Sequence, residues 1–405
     1  MATSPTQPDQ SRKRRRQRLL GWAAGAALCL LLLAVVARSL LIRRMLLPRL
    51  IITQSGNVMA VAVTPNGQTI FTGDDYTSGL GNLAAYQTAD VFIWDSRTGR
   101  LIRRLPGFYW RSSGVLASPD GRRVIASGEA FQNAHGITPY QVIEWDWQSG
   151  QKQWAVTGQK QWAVKGDLPL SYSADERLVG CDNGIYNATN GELICLTSKN
   201  IGEDGQSGFT PDGKWYGIVD DISLDPITHK ARQTSDFEGD KQYFYSTTRL
   251  HFWHTDTGKE AKDLPFTRVR AFDIASDGQW LVMASDTGMM GGSDGSVVRR
   301  VDIQTGKVLW TRERSMNGPG SDPEAVLNSV AVSPNGKYVV LASNNSHLIV
   351  LDAQTGRELF RPFIFPSLNP PDWVMPGGLA FSADGKTLVS RCGRRTLVWD
   401  SATLQ

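Results

Sequence analysis

One tetrapeptide constrains this chain more than any other feature. TPNG at residues 64–67 returns as SPDG (118–121), SADE (173–176), TPDG (210–213), ASDG (275–278), SPNG (333–336) and SADG (382–385). Proline in the second place pre-sets φ for a type I turn, and glycine in the fourth accepts the positive φ of a tight, bulged hairpin. SADE has no such glycine, so its turn is the least secure of the seven. A second turn alternates with the first: WDSRTG (94–99), WDWQSG (145–150), YNATNG (186–191), WHTDTG (253–258), VDIQTG (301–306), LDAQTG (351–356) and WDSAT (399–403).

Both turns are flanked by short apolar runs, such as QTIFTG, RRVIASG, QWLVMAS and KYVVLAS. Their length and alternation are those of strands. Each unit therefore reads strand, tight turn, strand, variable loop, strand, tight turn, strand. Four antiparallel strands repeated seven times describe an all-β, seven-bladed β-propeller over residues 48–405. The first strand of each unit carries small residues (MAVAV, SVAVS, GGLAFS), which suit the crowded centre of the ring.

The seventh unit shows three strands, GGLAFS, TLVSRC and TLVWDS, and no fourth after Thr403. Residues 48–56, PRLIITQSG, stand where a fourth strand leads into a first. The expectation is that Leu50–Gln54 pairs with Thr396–Asp400 and closes the ring, burying two strand edges that would otherwise be exposed.

The strand ends Trp94-Asp95, Trp145-Asp146 and Trp399-Asp400 resemble the WD-repeat propeller family, and the likeness spans about residues 48–405. Three of seven units keep Trp-Asp, and the family's Gly-His pair, whose histidine feeds a stabilising hydrogen-bond network, is absent. A second pattern, Asp-x-x-Thr-Gly with Trp four residues on, is similar to quinoprotein propellers. Asp302, Thr305, Gly306 and Trp310 fit it, and Asp146, Gly150 and Trp154 fit it with Ser149 for Thr. The resemblance implies that these tryptophans pack between blades. Quinoprotein enzymes resemble this chain in that motif but use eight blades and an adjacent cysteine pair. Here there are seven units and no adjacent cysteines.

Composition divides the chain. From residue 50 onward there are 33 Lys and Arg against 38 Asp and Glu, so the basic excess lies in the first 49 residues. An acidic body argues against nucleic acid as the partner. A basic tail (1–18) precedes an uncharged apolar stretch, Leu19 to Ala37, and a short linker (38–47). Nineteen residues at a rise of 1.5 Å come close to spanning a bilayer core of roughly 30 Å. The expectation is a single transmembrane helix over 19–37. Six basic residues before it and four after favour a cytoplasmic N-terminus and an extracytoplasmic propeller. A cleaved signal peptide with a secreted propeller, or a cytoplasmic propeller, are the alternatives. Cys29 falls in the span. Cys181, Cys195 and Cys392 follow or occupy strand-like runs and read as core thiols rather than a disulfide framework or a metal site.

Connectivity puts both tight-turn sets on one rim of the ring and the variable loops on the other. The long loops are expected at 74–90, 106–114, 128–140, 218–248, 286–296, 313–328 and 362–378. Loops on a rigid scaffold are where binding concentrates, and these hold many aromatic rings, among them Phe108. The candidate ligand-binding residues are Tyr109, Trp110, Arg111, Tyr243, Tyr245 and Trp373, types favoured at protein interfaces. The five histidines are scattered, and there is no H-E-x-x-H, G-x-S-x-G, P-loop or EF-hand motif. The expectation is a protein- or peptide-binding scaffold or sensor with no catalytic residue, metal or cofactor. The alternative is an envelope enzyme of quinoprotein or propeller lyase or hydrolase type. One oddity remains: QKQWAVTG (151–158) is followed at once by QKQWAVKG (159–166), and either copy fits the fourth strand of the second unit.

Overall fold

The structure is a computed structural model. It describes residues 47–75, 88–109, 112–129, 140–158, 171–181, 184–197, 207–224, 245–287, 295–315, 326–343, 348–361 and 378–401. Seven four-stranded antiparallel sheets form seven blades. Blade 1 runs from Asn57 to Tyr109, blade 2 from Ser112 to Gly158, blade 3 from Ser171 to Leu196 and blade 4 from Ser207 to Thr267. Blade 5 runs from Val269 to Ser315, blade 6 from Leu327 to Phe360, and blade 7 from Leu379 to Asp400. In each of the first six, the four strands pair in chain order from the inside outward.

Blade 7 takes its outer strand from Leu50–Thr53, which lies antiparallel to Arg395–Asp400. The register sets Leu50 opposite Val398 and Thr53 opposite Arg395. Arg49 N donates to Val398 O at 2.8 Å and Gln54 N to Arg394 O at 3.0 Å, extending the ladder at both ends. The paired segment is thus one residue shorter than the expected Leu50–Gln54. Gln54 leaves the strand and its side chain accepts a hydrogen bond from Thr72 of blade 1 at 2.7 Å. Ile52 is buried with Trp94 and Val398, so the closing strand packs against blade 1 as well as pairing with blade 7.

The turns explain why the sequence breaks where it does. In six of the seven first turns a Ser or Thr hydroxyl accepts the N–H five residues on, as Thr69 N to Thr64 Oγ1 at 3.0 Å and Tyr338 N to Ser333 Oγ at 2.9 Å. Blade 5 has Ala275 in that place and closes through backbone bonds and the bond from Gln279 N to Asp277 Oδ1 at 2.9 Å. SADE does form the turn. Glu176 takes the glycine's left-handed conformation at φ 61°, and its N–H reaches Ser173 O at 2.9 Å. Such a conformation costs a non-glycine residue about 1–2 kcal/mol. The Glu176 carboxylate, bonded to Arg123 of blade 2 at 2.7 Å, offsets part of that cost.

In the second turns an Asp side chain takes the amide and hydroxyl three residues on. Asp302 Oδ1 accepts both Thr305 N and Thr305 Oγ1 at 2.7 Å, and Asp95 and Asp352 do the same with Thr98 and Thr355. These bonds hold the three carboxyls below the usual range.

Residues 1–46, with the expected transmembrane helix, lie outside the described residues. Among the described residues no helix is long and apolar enough to cross a membrane. Of the octamer copies, the first forms the outer strand of blade 2, Gln151–Gly158. Cys181 is buried, whereas Cys195 and Cys392 are only half-buried.

Candidate functional site

The two rims differ in construction. On the tight-turn rim the second turn of each blade is bonded down onto the first. Ser96 N reaches Gln68 O at 2.9 Å, Thr255 Oγ1 reaches Gly213 O at 2.7 Å, and Ala353 N reaches Lys337 O at 2.8 Å. The opposite rim holds the variable connections, as the order of strands requires.

The described ends of strands at that rim show how it is anchored. Arg391 of blade 7 donates to the carbonyls of Val58 and Met59 in blade 1, which ties the rim across the ring closure. In blade 1, Asp74 accepts Asp90 N at 2.7 Å and Asp90 is paired with Arg104. In blade 5, Arg270 is paired with Asp286, whose amide bonds to Arg268 O at 3.0 Å. Arg268 is the single residue between the outer strand of blade 4 and the inner strand of blade 5, and makes the crossing at φ 59°.

Of the predicted binding residues, Tyr109 ends the outer strand of blade 1, half-buried on this rim. Tyr245 does not sit in a loop. It opens the third strand of blade 4 and pairs with Leu224, so the two ends of the expected 218–248 loop, 218–224 and 245–248, are paired strands instead. Trp110, Arg111, Tyr243 and Trp373 lie outside the described residues. Phe108 is a correction: it is fully buried, edge-on to Trp145 with ring centres 6.1 Å apart, so it belongs to the core between blades 1 and 2. Alternation along the strand explains this, since one neighbour faces the core when the other faces the rim.

A second set of residues, between the blades, was only partly visible in the sequence. The tryptophans of the Asp-x-x-Thr-Gly pattern each reach the next blade. Trp154 Nε1 donates to Ala188 O of blade 3 at 3.0 Å, and Trp310 Nε1 to Ala353 O of blade 6 at 2.9 Å. The same position, four residues after the second-turn glycine, does the same job in blades 1 and 4. Arg103 donates to Gln148 O of blade 2 at 2.9 Å, and Lys262 to Ile303 O of blade 5 at 2.7 Å. Cys195 Sγ is 4.0 Å from Thr255 O of blade 4. Position relative to the glycine, rather than residue type, was the signal that could have found them.

At the centre of the ring, Asp273 is the only carboxylate on the inner strands among the described residues. Its Oδ2 accepts Val332 N from the inner strand of blade 6 at 2.6 Å. Ser333 N pairs outward with Tyr338 O of the second strand, so the N–H of Val332 falls on the inner strand's free edge. Asp273 thereby satisfies an edge donor of the neighbouring blade. Burial pushes its carboxyl up to about 6. His251 Nδ1 lies 3.2 Å from Glu260 Oε1, which accepts its N–H. No group of three His, Cys, Asp or Glu among the described residues is placed to hold a metal ion.

Residues 228–364 match the PQQ_2 family model described as outer membrane protein assembly factor BamB. That is about a third of the chain, and it contains Asp302, Thr305, Gly306 and Trp310. Among solved structures, the chain is similar to hydrazine synthase of Kuenenia stuttgartiensis at 14% identity, with a TM-score of 0.59. The likeness covers 87% of this chain and 98% of that one. At that identity it shows the propeller fold alone. No curated protein matches.

Proposed function

We propose that this protein is a membrane-tethered propeller that binds a protein or peptide through its long-loop rim. The observation that carries the reading is the inequality of the rims. One is consumed by turn-to-turn hydrogen bonds; the other carries the variable connections on strand ends pinned by ion pairs. The entry of the chain adds to it. Leu50 lies beside Gly99 of the second turn in blade 1, so the segment leading back to the apolar stretch at 19–37 leaves from the tight-turn rim. A helix anchored there holds the tight turns toward the bilayer and turns the long loops away from it. The partial likeness to a family named for assembly of outer membrane proteins is in keeping with a protein partner.

The test is cross-linking in intact membranes followed by capture of the full chain, with Tyr109, Trp110 and Trp373 each replaced by Ala. The expected result is a specific cross-linked protein lost in at least one variant. Equal capture by wild type and all three variants would count against the rim. Orientation is read separately, by labelling cysteines placed at 110 and 373 in sealed vesicles. The expected result is labelling on the face opposite the N-terminal tail.

The PQQ_2 likeness, centred on the Trp310 pattern, favours a second reading, a quinoprotein-type oxidoreductase of the envelope. Trp310 and Trp154 are used between blades, where their indole N–H groups are already bonded to carbonyls. Titration of the purified chain with pyrroloquinoline quinone, followed by Trp fluorescence, separates the readings. Saturable binding supports the enzyme, and its absence supports the scaffold.

A further inference from the structure

We infer that blade 2 has two interchangeable outer strands, and that the tandem octamer lets it exchange one for the other by slipping eight residues. QKQWAVTG and QKQWAVKG differ at one position in eight. In the structure the first copy lies on the third strand of blade 2, with Trp154 opposite Glu144, Val156 opposite Val142 and Gly158 opposite Tyr140. Eight is even, so a slip keeps every side chain on its own face of the sheet. Trp162 then stands opposite Glu144 and directs its indole at Ala188 O. Val164 stands opposite Val142. The single difference, Lys165 for Thr157, falls at the rim end of the strand, opposite Gln141.

The connections on both sides permit the slip. In the observed register, residues 147–150 make the turn into the outer strand, and twelve residues of sequence separate its end at Gly158 from the inner strand of blade 3 at Ser171. In the slipped register the turn takes 147–158 and the crossing takes 167–170. Four residues suffice for such a crossing. Two residues of sequence separate Tyr109 of blade 1 from Ser112 of blade 2, and Arg268 alone crosses from blade 4 to blade 5. Closure entropy grows only with the logarithm of loop length, and what one connection gains the other gives up.

The observed register wins through turn chemistry. Asp146 Oδ1 accepts Ser149 N and Ser149 Oγ at 2.8 Å, and Gly150 N bonds to Asp146 O at 2.8 Å. A twelve-residue connection does not need those bonds. Trp147 keeps its own anchor in either register, Nε1 to Gly121 O at 2.9 Å. The slip therefore moves eight residues from the connection after the outer strand to the connection before it while the blade stays four-stranded.

Two measurements on the full chain test this. The first is oxidative cross-linking of paired cysteines, with linked peptides identified by mass spectrometry. Val142→Cys with Val156→Cys traps the observed register, and Val142→Cys with Val164→Cys traps the slipped one. The expected result is a minor 142–164 link that becomes the major product when Trp154→Ala is added. The second is equilibrium unfolding. Trp162→Ala alone changes the folding constant less than twofold, and Trp154→Ala alone changes it only modestly. The double variant lowers it at least tenfold below Trp154→Ala. The inference is overturned if no 142–164 link forms in either background, or if Trp162→Ala adds nothing to Trp154→Ala.

Discussion

The seam between blades 5 and 6 and the seam between blades 3 and 4 use the same positions with different residues. At the first, Trp310 is bonded to Ala353 O and lies against Gly356, where a Cβ would stand 2.9 Å from the ring. Arg300 adds bonds to Ala353 O and Gln354 at 3.1 Å while lying 4.0 Å over the Trp280 ring. Arg314 reaches Glu358 at 3.3 Å, and one apolar cluster runs through both blades. At the second seam the contact corresponding to Trp310 is Cys195, and the outer strand of blade 3 is four residues long with Leu193, Ile194 and Leu196 exposed. Inside, Tyr216 fills the space over Gly180 and donates to Cys181 O at 3.0 Å. Farther out, the buried Trp253 Nε1, His251 Nε2 and Thr197 Oγ1 have no hydrogen-bond partner among the described residues, whereas at the first seam Arg300 Nε alone is in that position beside the Arg314 Nε. The repeat thus fixes the blade and leaves the joint between blades free to vary in strength.

The upper bound on any seam is set by ring closure. Deleting residues 48–54 should abolish cooperative unfolding altogether and give an aggregation-prone chain, followed by urea denaturation and light scattering. A soluble, cooperatively folded product would mean that the ring does not depend on its closing strand. Next in size is the direct comparison. Trp310→Ala should cost about 3 kcal/mol, from lost packing and the loss of one of the two hydrogen bonds to Ala353 O, the other being that of Arg300. Cys195→Ala, at the same position of blade 3, should cost about 1 kcal/mol or less. Equal losses would erase the distinction between the seams.

Asp273 makes the strong seam sensitive to pH. Its folded pKa of about 6 lies above the ordinary carboxylate value, so the folded protein binds this proton more tightly than the unfolded chain does. Stability contributed at this site therefore rises as pH falls from 7 through 6 and levels off near 4. The size is about 1.4 kcal/mol for each pK unit of difference. Asp273→Asn retains an acceptor for Val332 N and should flatten that rise, measured by denaturation at pH 7 and pH 5. The second-turn carboxyls have the opposite sign, since Asp302 and Asp352 are lowered and their contribution is lost only in stronger acid. The smallest expected effect is Glu176→Gly. It relieves a left-handed residue and loses the Arg123 pair, so the net change should stay within about 1 kcal/mol.

The blades were legible because turns are chemical statements. Asn66 and Asp384 each take the amide two residues on, and Gly67 and Gly385 each adopt a positive φ, so TPNG and SADG announce hairpins without any tertiary context. Closure was legible because the pattern ran one strand short at one end and offered one at the other. The seams were half legible. Trp154 and Trp310 stood out as residues, but Arg103, Cys195 and Lys262 share only a place in the repeat, and a carbonyl accepts from any donor that reaches it. Asp273 was missed because one carboxylate among small apolar residues has no periodicity. Of the binding rim, the scaffold was readable and the ring count was overstated, since Phe108 alternates into the core.

The closing strand also sets an order of events. Leu50 and Val398 are neighbours in space and 348 positions apart in the chain, so a ribosome makes one long before the other. Blades 1 to 6 can each assemble from local hairpins as they emerge. Blade 7 cannot, and Leu50–Thr53 must wait unpaired until Arg395–Asp400 has been made. The most distant contact in the propeller is therefore the last to form. Whatever meets the nascent chain meets an open ring with a free strand edge beside its N-terminal segment.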